Sequence, residues 1–184
     1  MTRRDGTRKE QTTRLEIMSH TDHLKSSSDI SVKCAVVTCS DSRDEASDSS
    51  GRFIRETLAE AGHEVALYRL VPDEPDWISA AVKVAVDSNF DVIITNGGTG
   101  ISRRDNTFKT LQEMIDRPLT GFGELFRMLS WQEVGSSAML SRATAGVIQN
   151  TLIFALPGST NAVRLAMEKL ILPQIRHLVS EMRR

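Results

Sequence analysis

The apolar positions of the chain alternate between short uninterrupted runs and stretches with the spacing of a helix. The run VKCAVVTCS, at residues 32–40, contains β-branched residues and no strict alternation with polar ones, which predicts a parallel strand covered on both faces. A second apolar run leads into Pro72, and a third, DVIITN, occupies residues 91–96. These runs predict three strands of one sheet.

Between these strands, apolar side chains recur at the spacing of one helix face. The first helix is expected to begin near Asp48, Ser49 or Ser50, whose side chains can cap it, and to end at Gly62. The second is expected to begin at Pro75, because proline suits the first turn of a helix. This order of strands and helices, with short links, is typical of a parallel sheet with right-handed crossovers.

The second half of the chain continues the same pattern. A helix is expected from residue 106 or 107 to before Pro118, followed by the amphipathic segment GFGELFRMLSWQEVG. Two apolar runs, AGVIQN and TLIFALPG, predict a pair of neighbouring strands. A long final helix should be kinked at Pro173, whose ring clashes near the Lys169 carbonyl.

Ligands of open parallel sheets bind beyond the carboxyl ends of the strands. This rule places three polar segments at one edge of the predicted sheet: residues 40–42, residues 72–74 and residues 97–105. The third contains the motif GGTG, whose glycines allow positive φ and a close approach of backbone N–H groups to an anion. Taken alone, the motif is better explained as a plain glycine turn between a strand and a helix, because short glycine motifs often match by chance.

Two aspartates at this edge follow different strands. Asp73 and Asp105 could converge on one Mg²⁺, which prefers carboxylates together with water and substrate phosphates. Arg103, Arg104 and Arg142 are possible partners for an anion, so the edge suits phosphoryl or nucleotidyl transfer. The alternatives are structural: Asp73 as a turn or cap residue, Asp105 as the cap of the next helix, and Arg142 as part of a helix end.

Several other classes of protein lose support. The P-loop pattern is absent, the third glycine of the dinucleotide fingerprint is missing, and no zinc spacing, GxSxG or HExxH occurs. The 23 basic residues nearly cancel the 24 acidic ones, so neither nucleic acid nor a membrane surface is expected as a partner. With no apolar run near the length of a membrane span and no signal-peptide pattern, we expect a cytoplasmic protein.

The two cysteines and the N-terminal residues complete the picture. Cys34 and Cys39 lie in one predicted strand, so they point to opposite faces and are too far apart for a disulfide. Residues 1–30 have only scattered apolar side chains, which cannot offset the entropy lost on ordering, so we expect a disordered tail. Residues 31–184 are expected to form one domain.

Five motifs together give the chain a specific resemblance. It resembles the family of molybdenum cofactor biosynthesis proteins that contains MoaB and MogA and is related to the molybdopterin-binding domains of gephyrin. The resemblance covers roughly Lys33 to the C-terminus and is stronger to the MoaB branch. The motifs are PDE at residues 72–74, TNGGTGISRRD at 95–105, GFGELFR from Gly121, LSRA from Leu140 and LPGST from Leu156.

The resemblance implies a three-layer α/β/α sandwich with a mostly parallel central sheet that binds molybdopterin. Active family members transfer AMP from Mg-ATP to the terminal phosphate of the pterin and release pyrophosphate. The resemblance assigns both catalysis and Mg²⁺ binding to Asp73 and Asp105. The residues that it implies for binding nucleotide or pterin are Ser40, Asp41, Gly97, Gly98, Thr99, Gly100, Gly121, Phe122, Gly123, Glu124, Ser141, Arg142, Pro157, Gly158 and Ser159.

The same resemblance implies a homotrimer or homohexamer and contacts with other cofactor-biosynthesis proteins. Two rival functions remain open, a non-catalytic molybdopterin carrier and an oligomeric partner in cofactor assembly. Some MoaB-type proteins have lost the acid that follows the glycine loop, whereas this chain retains both Asp73 and Asp105. Their retention favours the enzyme.

Overall fold

The computed structural model describes residues 30–184, which form one six-stranded sheet with helices on both faces. The tail predicted for residues 1–30 lies outside the described residues, except for Ile30. The strands are β1 (Lys33–Cys39), β2 (Glu64–Val71), β3 (Val92–Asn96), β4 (Arg117–Pro118), β5 (Thr144–Ile148) and β6 (Thr151–Leu156). The helices are α1 (Ser49–Glu60), α2 (Pro75–Asp87), α3 (Thr107–Met114), α4 (Thr120–Val134), α5 (Thr160–Ala166) and α6 (Leu172–Met182).

The strands lie in the order β2-β1-β3-β6-β5-β4. The first four of these are parallel, with Val36 beside Ile94 and Ile94 beside Phe154, whereas β5 runs antiparallel to both of its neighbours. The predicted mostly parallel sheet is therefore confirmed, and the two runs predicted as neighbouring strands are the antiparallel pair β5 and β6.

Two hydrophobic clusters, one on each face of the sheet, join the sheet to the helices. One packs the sheet against α1, α4, α5 and α6, and the other packs it against α2 and α3. Strand β1 contributes Cys34 and Val36 to the first cluster and Val37 and Cys39 to the second, so it is covered on both faces as its sequence predicts. The two cysteines are free and buried on opposite sides of the sheet.

The final helix is interrupted where the sequence predicts a disturbance. A π-helical turn at Met167–Ile171 joins α5 to α6, and the N–H of Leu172 donates to the carbonyl of Met167, five residues earlier. This wider turn precedes Pro173, whose ring nitrogen has no hydrogen to give to the preceding turn.

All four parallel strands end at one edge of the sheet, and backbone hydrogen bonds tie their loops together there. The N–H of Ser40 donates to the Val71 carbonyl at 2.9 Å, and the N–H of Gly97 donates to the Leu156 carbonyl at 3.0 Å. The loops after β1, β2, β3 and β6 therefore meet. Among the described helices, none combines the length and the apolar character that a membrane span requires.

Candidate functional site

A cleft of about 310 Å³ opens at the carboxyl edge of the sheet. It is formed by the loops after β1, β2, β3 and β6, so the predicted meeting of the first three loops is confirmed. Its lining consists of Cys39, Ser40, Asp41, Ser42, Arg43, Asp73, Gly97, Gly98, Arg104, Asp105 and Gly158.

Two glycines of the loop after β3 are required by its backbone. Gly97 has φ of 97° and Gly98 has φ of 60°, a region that side chains with a Cβ rarely adopt. A Cβ at Gly97 would overlap the carbonyl oxygen of Cys39, and one at Gly98 would overlap the Asp73 carboxylate and the Thr107 hydroxyl. The glycines therefore bring this loop into contact with the loops after β1 and β2.

Asp73 is buried at the floor of the cleft and caps α3 from a distant part of the chain. Its Oδ1 accepts hydrogen bonds from the Asn106 N–H at 3.2 Å, the Thr107 N–H at 3.1 Å and the Thr107 hydroxyl at 3.0 Å. Its Oδ2 accepts no hydrogen bond from any residue in the range 30–184. Asp73 therefore does act as a helix cap, as one of the alternatives predicted, and this role uses only one of its two carboxylate oxygens.

Burial raises the pKa of Asp73 above its ordinary value. The hydrogen bonds from Thr107 and Asn106 offset part of this rise, while the negative charge of Asp105 adds to it. The two carboxylates line the same cleft. A cation placed between them would reverse this repulsion.

Asp105 organises the glycine loop and does not cap α3. Its Oδ2 accepts the Ser102 N–H at 2.7 Å, and the first amides of α3 donate to Asp73 instead. Within the described chain, Oδ1 of Asp105 has no hydrogen-bond donor. Each of the two aspartates thus has one oxygen held by the protein and one available to a ligand.

Arg104 bridges two of the loops that form the cleft. Its guanidinium contacts Asp41 and Glu74, each at 2.7 Å. The hydrogen bond from Arg104, together with the one from the Asp73 N–H, lowers the pKa of Asp41 below its ordinary value. The predicted anion partner Arg104 is therefore at the cleft, paired with two carboxylates.

A second cation of the lining, Arg43, is missing from the sequence-based prediction. Its Nη2 donates to the Gly158 carbonyl at 2.8 Å and its Nη1 to Asp48 Oδ1 at 3.4 Å. Arg43 thus connects the loop after β1 to the loop after β6. It is the basic residue of the segment SDSRDEASD, which directly follows the first strand, and that position is the signal that could have identified it.

Asp48 is a fully buried carboxylate that caps α1 through the Gly51 N–H at 2.9 Å. It also accepts the hydroxyls of Thr38 at 2.5 Å and Tyr68 at 2.8 Å. Burial favours the protonated acid, but these hydrogen bonds and Arg43 outweigh it and hold the pKa of Asp48 below its ordinary value. Asp48 is therefore ionised near neutral pH.

Arg142 lies beside the glycine loop and binds its backbone. Its Nε donates to the Thr99 carbonyl at 3.0 Å, and its Nη2 donates to the carbonyls of Gly100 and Asp105. Its guanidinium also lies over the Phe108 ring, 4.9 Å from the centroid. These contacts fix the shape of the loop after β3.

The predicted site residues fall into two groups. Seven line the cleft, namely Ser40, Asp41, Asp73, Gly97, Gly98, Asp105 and Gly158. The others lie outside its lining: Thr99, Gly100 and Arg142 beside it, Pro157 before Gly158, Ser159 as the cap of α5, Ser141 after the turn that follows α4, and Gly121, Phe122, Gly123 and Glu124 in the first turn of α4. Of these four, Phe122 is buried against Phe154 in the core.

The donors at the cleft fit Mg²⁺ bound together with a phosphate ligand. Asp73 and Asp105 offer two carboxylate oxygens, and Mg²⁺ takes one or two carboxylates plus waters and phosphate oxygens. No three His, Cys, Asp or Glu side chains within residues 30–184 gather into a cluster that could hold a metal ion. The pair suits a metal that arrives with its substrate better than an ion enclosed by protein.

Comparison with known proteins identifies the family of this chain. The sequence profile of the family described as "probable molybdopterin binding domain" matches residues 35–177. Molybdenum cofactor biosynthesis protein B of Bacillus cereus is 47% identical over 169 residues, which cover 91% of this chain and 99% of the relative. The chain belongs to the MoaB/MogA family of molybdopterin-binding proteins.

Solved structures of MoaB proteins share the fold. A crystal structure of molybdenum cofactor biosynthesis protein B is 48% identical, with a TM-score of 0.81 over 84% of this chain and 97% of that one. The tungsten cofactor synthesizing protein MoaB from Pyrococcus furiosus is 38% identical, with a TM-score of 0.77 over 84% of this chain and 98% of that one. The three-layer MoaB/MogA-like fold is therefore confirmed, and the chain has a role in molybdenum cofactor biosynthesis.

Proposed function

We propose that this MoaB/MogA-family chain is a molybdopterin adenylyltransferase that transfers AMP from Mg-ATP to the terminal phosphate of molybdopterin and releases pyrophosphate. One observation carries the proposal: Asp73 and Asp105 line the same cleft, each with one carboxylate oxygen free of donors in the described chain.

The residues of the cleft suit a transfer that depends on alignment. The acceptor is already a phosphate, so no strong general base is needed, and Asp73 and Asp105 serve as ligands. Asp73 and Asp105 would hold Mg²⁺, which would supply charge stabilisation at the phosphates of a bound nucleotide. Gly97 and Gly98 allow the backbone to approach a phosphate closely, and Arg142 keeps their loop in shape.

The test is turnover of purified protein with molybdopterin and Mg-ATP, followed by detection of adenylylated pterin and pyrophosphate. Absence of both products, under conditions in which a related adenylyltransferase works, would refute the proposal. The informative variant is Asp105→Asn, because its amide oxygen can still accept the Ser102 N–H. We expect turnover to fall by at least roughly a hundredfold while pterin affinity changes little.

A molybdopterin carrier is the second candidate, and the name of the matching family, which refers only to binding, favours it. Calorimetry separates the two functions. A carrier binds pterin and gives no heat with Mg-ATP, whereas the enzyme binds both. Under the carrier function, Asp105→Asn and wild type would also behave alike.

We further propose that the protein is a cytoplasmic homotrimer or homohexamer that can also contact other cofactor-biosynthesis proteins. The support is an apolar surface, called here the α4 face, on the outer side of α4 and the 3₁₀ turn after it. Within the described chain, most of the exposed large apolar side chains belong to this segment. The α4 face consists of Leu125, Met128, Trp131, Val134, Met139 and Leu140.

A further inference from the structure

Arg43 is the cation of the cleft with the most unused hydrogen-bonding capacity. A guanidinium has five N–H groups, and the partners of Arg43 in the described chain are one carbonyl, of Gly158, and one carboxylate oxygen, of Asp48. Its Nε has no acceptor among residues 30–184. By contrast, Arg104 is engaged by the carboxylates of both Asp41 and Glu74.

The difference between Arg43 and Arg104 matters because the cleft contains more acidic than basic side chains. Three acids, Asp41, Asp73 and Asp105, and two bases, Arg43 and Arg104, belong to its lining. Arg104 is paired with two carboxylates, whereas Arg43 is paired with one, that of Asp48, which lies outside the lining. A phosphate that enters the cleft therefore meets unused guanidinium N–H groups on the side formed by the loops after β1 and β6.

Asp48 forms an ion pair with Arg43 and holds it in place, while most of the guanidinium N–H groups stay unused. The carboxylate of Asp48 already accepts hydrogen bonds of 2.5 to 2.9 Å from Thr38, Tyr68 and the Gly51 amide, and its contact with Arg43 is longer, at 3.4 Å. These shorter bonds fix the carboxylate, and the Gly158 carbonyl fixes the other end of the guanidinium. The side chain of Arg43 is 29% exposed, so its unused edge is accessible.

We propose that Arg43 binds a phosphate group of a substrate at the β1–β6 side of the cleft, and that Asp48 is the residue that positions it. This inference rests on the proposed function for the identity of the ligand, which is a phosphate of either the nucleotide or the pterin. Arginine suits this role because its planar fork binds phosphate through two hydrogen bonds.

The first experiment measures binding of inorganic pyrophosphate without Mg²⁺, by calorimetry on the full chain. We expect Arg43→Ala to weaken binding by roughly tenfold or more and Arg43→Lys to weaken it less, since lysine keeps the charge and loses the fork. Arg52→Ala is the control, because Arg52 is exposed, bonds to the Ala46 carbonyl and lies outside the lining. Unchanged affinity in Arg43→Ala, or no binding by wild type, overturns the proposal.

The positioning role of Asp48 needs a readout that a general loss of stability would not produce. Asp48→Asn alone should bind pyrophosphate more weakly than wild type does. The double variant Asp48→Asn/Arg43→Ala should bind it as weakly as Arg43→Ala alone, because the effect of Asp48 passes through Arg43. Equal losses in both backgrounds would show that Asp48 acts on the fold alone. Thermal unfolding of the same variants shows which fraction is folded during the binding measurement.

Steady-state kinetics then identifies the source of the phosphate. A raised KM for ATP in Arg43→Lys assigns the site to the nucleotide, and a raised KM for molybdopterin assigns it to the pterin. If Arg43→Lys changes neither KM while wild type turns over normally, the site is not used by substrate and the inference fails. Failure of the proposed function is distinguishable, because wild type would then yield no product while pyrophosphate binding still depended on Arg43.

Discussion

At the scale of single residues, Asp73 shows how one side chain can serve both the fold and the cleft. Its Oδ1 accepts three hydrogen bonds from the start of α3, and its other oxygen lies against Gly98 at the cleft. Substitutions can separate the two roles, because asparagine retains an acceptor at Oδ1 and loses the charge, whereas alanine loses both.

We expect Asp73→Ala to lower the free energy of unfolding by about 1 to 3 kcal/mol, since buried donors of Asn106 and Thr107 lose their acceptor. For Asp73→Asn the loss should stay below about 1 kcal/mol, while adenylyl transfer falls as far as in Asp105→Asn. Urea unfolding and pyrophosphate release measure the two effects. Equal destabilisation by both substitutions would contradict the capping role.

His63 gives a pH dependence with a defined sign. It is buried, its Nδ1 accepts the Val32 N–H at 3.3 Å, and burial together with the charge of Arg176 lowers its pKa from 6.5. The unfolded chain therefore binds a proton more readily than the folded one below about pH 6.5, so the contribution of His63 to stability is lost as the pH falls through this window.

The variant His63→Asn isolates this effect, because its side-chain carbonyl can replace Nδ1 as an acceptor and does not titrate. Between pH 7.5 and 5.5, the melting temperature of wild type should fall by more than that of His63→Asn. Other groups titrate in both proteins and cancel in the comparison. Parallel pH profiles would show that His63 protonation is not linked to unfolding.

The sequence identified some residues of the cleft, such as Asp73 and Asp105, and missed Arg43. Asp73 and Asp105 were identifiable because each follows a buried strand, and strand ends of a parallel sheet meet at one edge. Arg43 also follows a buried strand, but the sequence does not show which residue of that polar loop reaches the cleft, because its position depends on tertiary contacts with Gly158 and Asp48. The capping of α3 by Asp73 likewise joins residues far apart in sequence.

At the scale of structural elements, the loop after β3 depends on Gly98. In Gly98→Ala the new methyl group would displace Asp73 and Thr107 and would require an unfavourable positive φ. We expect a loss of about 1 to 3 kcal/mol in unfolding free energy, together with at least a tenfold loss of nucleotide affinity. Urea unfolding and calorimetry with Mg-ATP measure the two quantities.

The matched control is Gly121→Ala in the first turn of α4. Apart from its chain neighbours and the backbone of its own helix, no atom lies within 4 Å of a Cβ built at this position. Because alanine favours a helix over glycine, the stability should stay the same or rise by up to about 1 kcal/mol. If Gly98→Ala were as well tolerated as Gly121→Ala, the contact of the glycine loop with Asp73 would not matter.

The elements themselves were largely predictable, and the exceptions have physical reasons. Long apolar runs identified β1, β3 and β6, because strands buried on both faces carry no alternation. Strand β4 consists of only Arg117 and Pro118, which is too short to show a pattern of apolar and polar positions. Pro173 marked the interruption of the last helix, but the sequence pattern does not indicate its π-helical form, in which Met167 and Ile171 are buried in the core.

At the scale of the whole molecule, the α4 face contains six of the ten exposed large apolar side chains of the described residues. Each of its six side chains is about half exposed or more, which gives an apolar patch on the order of 500 Å², near the upper limit for a typical monomer. It contains two Met and one Trp, residue types that are enriched where subunits meet, and the same helix also exposes the charged residues Glu124, Arg127 and Glu133. The amphipathic pattern of α4 could not reveal this, since the pattern shows which side is apolar and not which partner covers it.

The two tryptophans allow a matched test of the proposed oligomer. Trp131 is 62% exposed and Trp77, on α2, is 60% exposed. The two side chains are thus about equally exposed, but only Trp131 belongs to the α4 face. We expect sedimentation to show a trimer or hexamer for wild type and for Trp77→Glu, and a monomer for Trp131→Glu, because a buried charge at a symmetric interface is repeated in every copy. A monomeric wild type, or an unchanged assembly in Trp131→Glu, would mean that the α4 face is not where the copies meet.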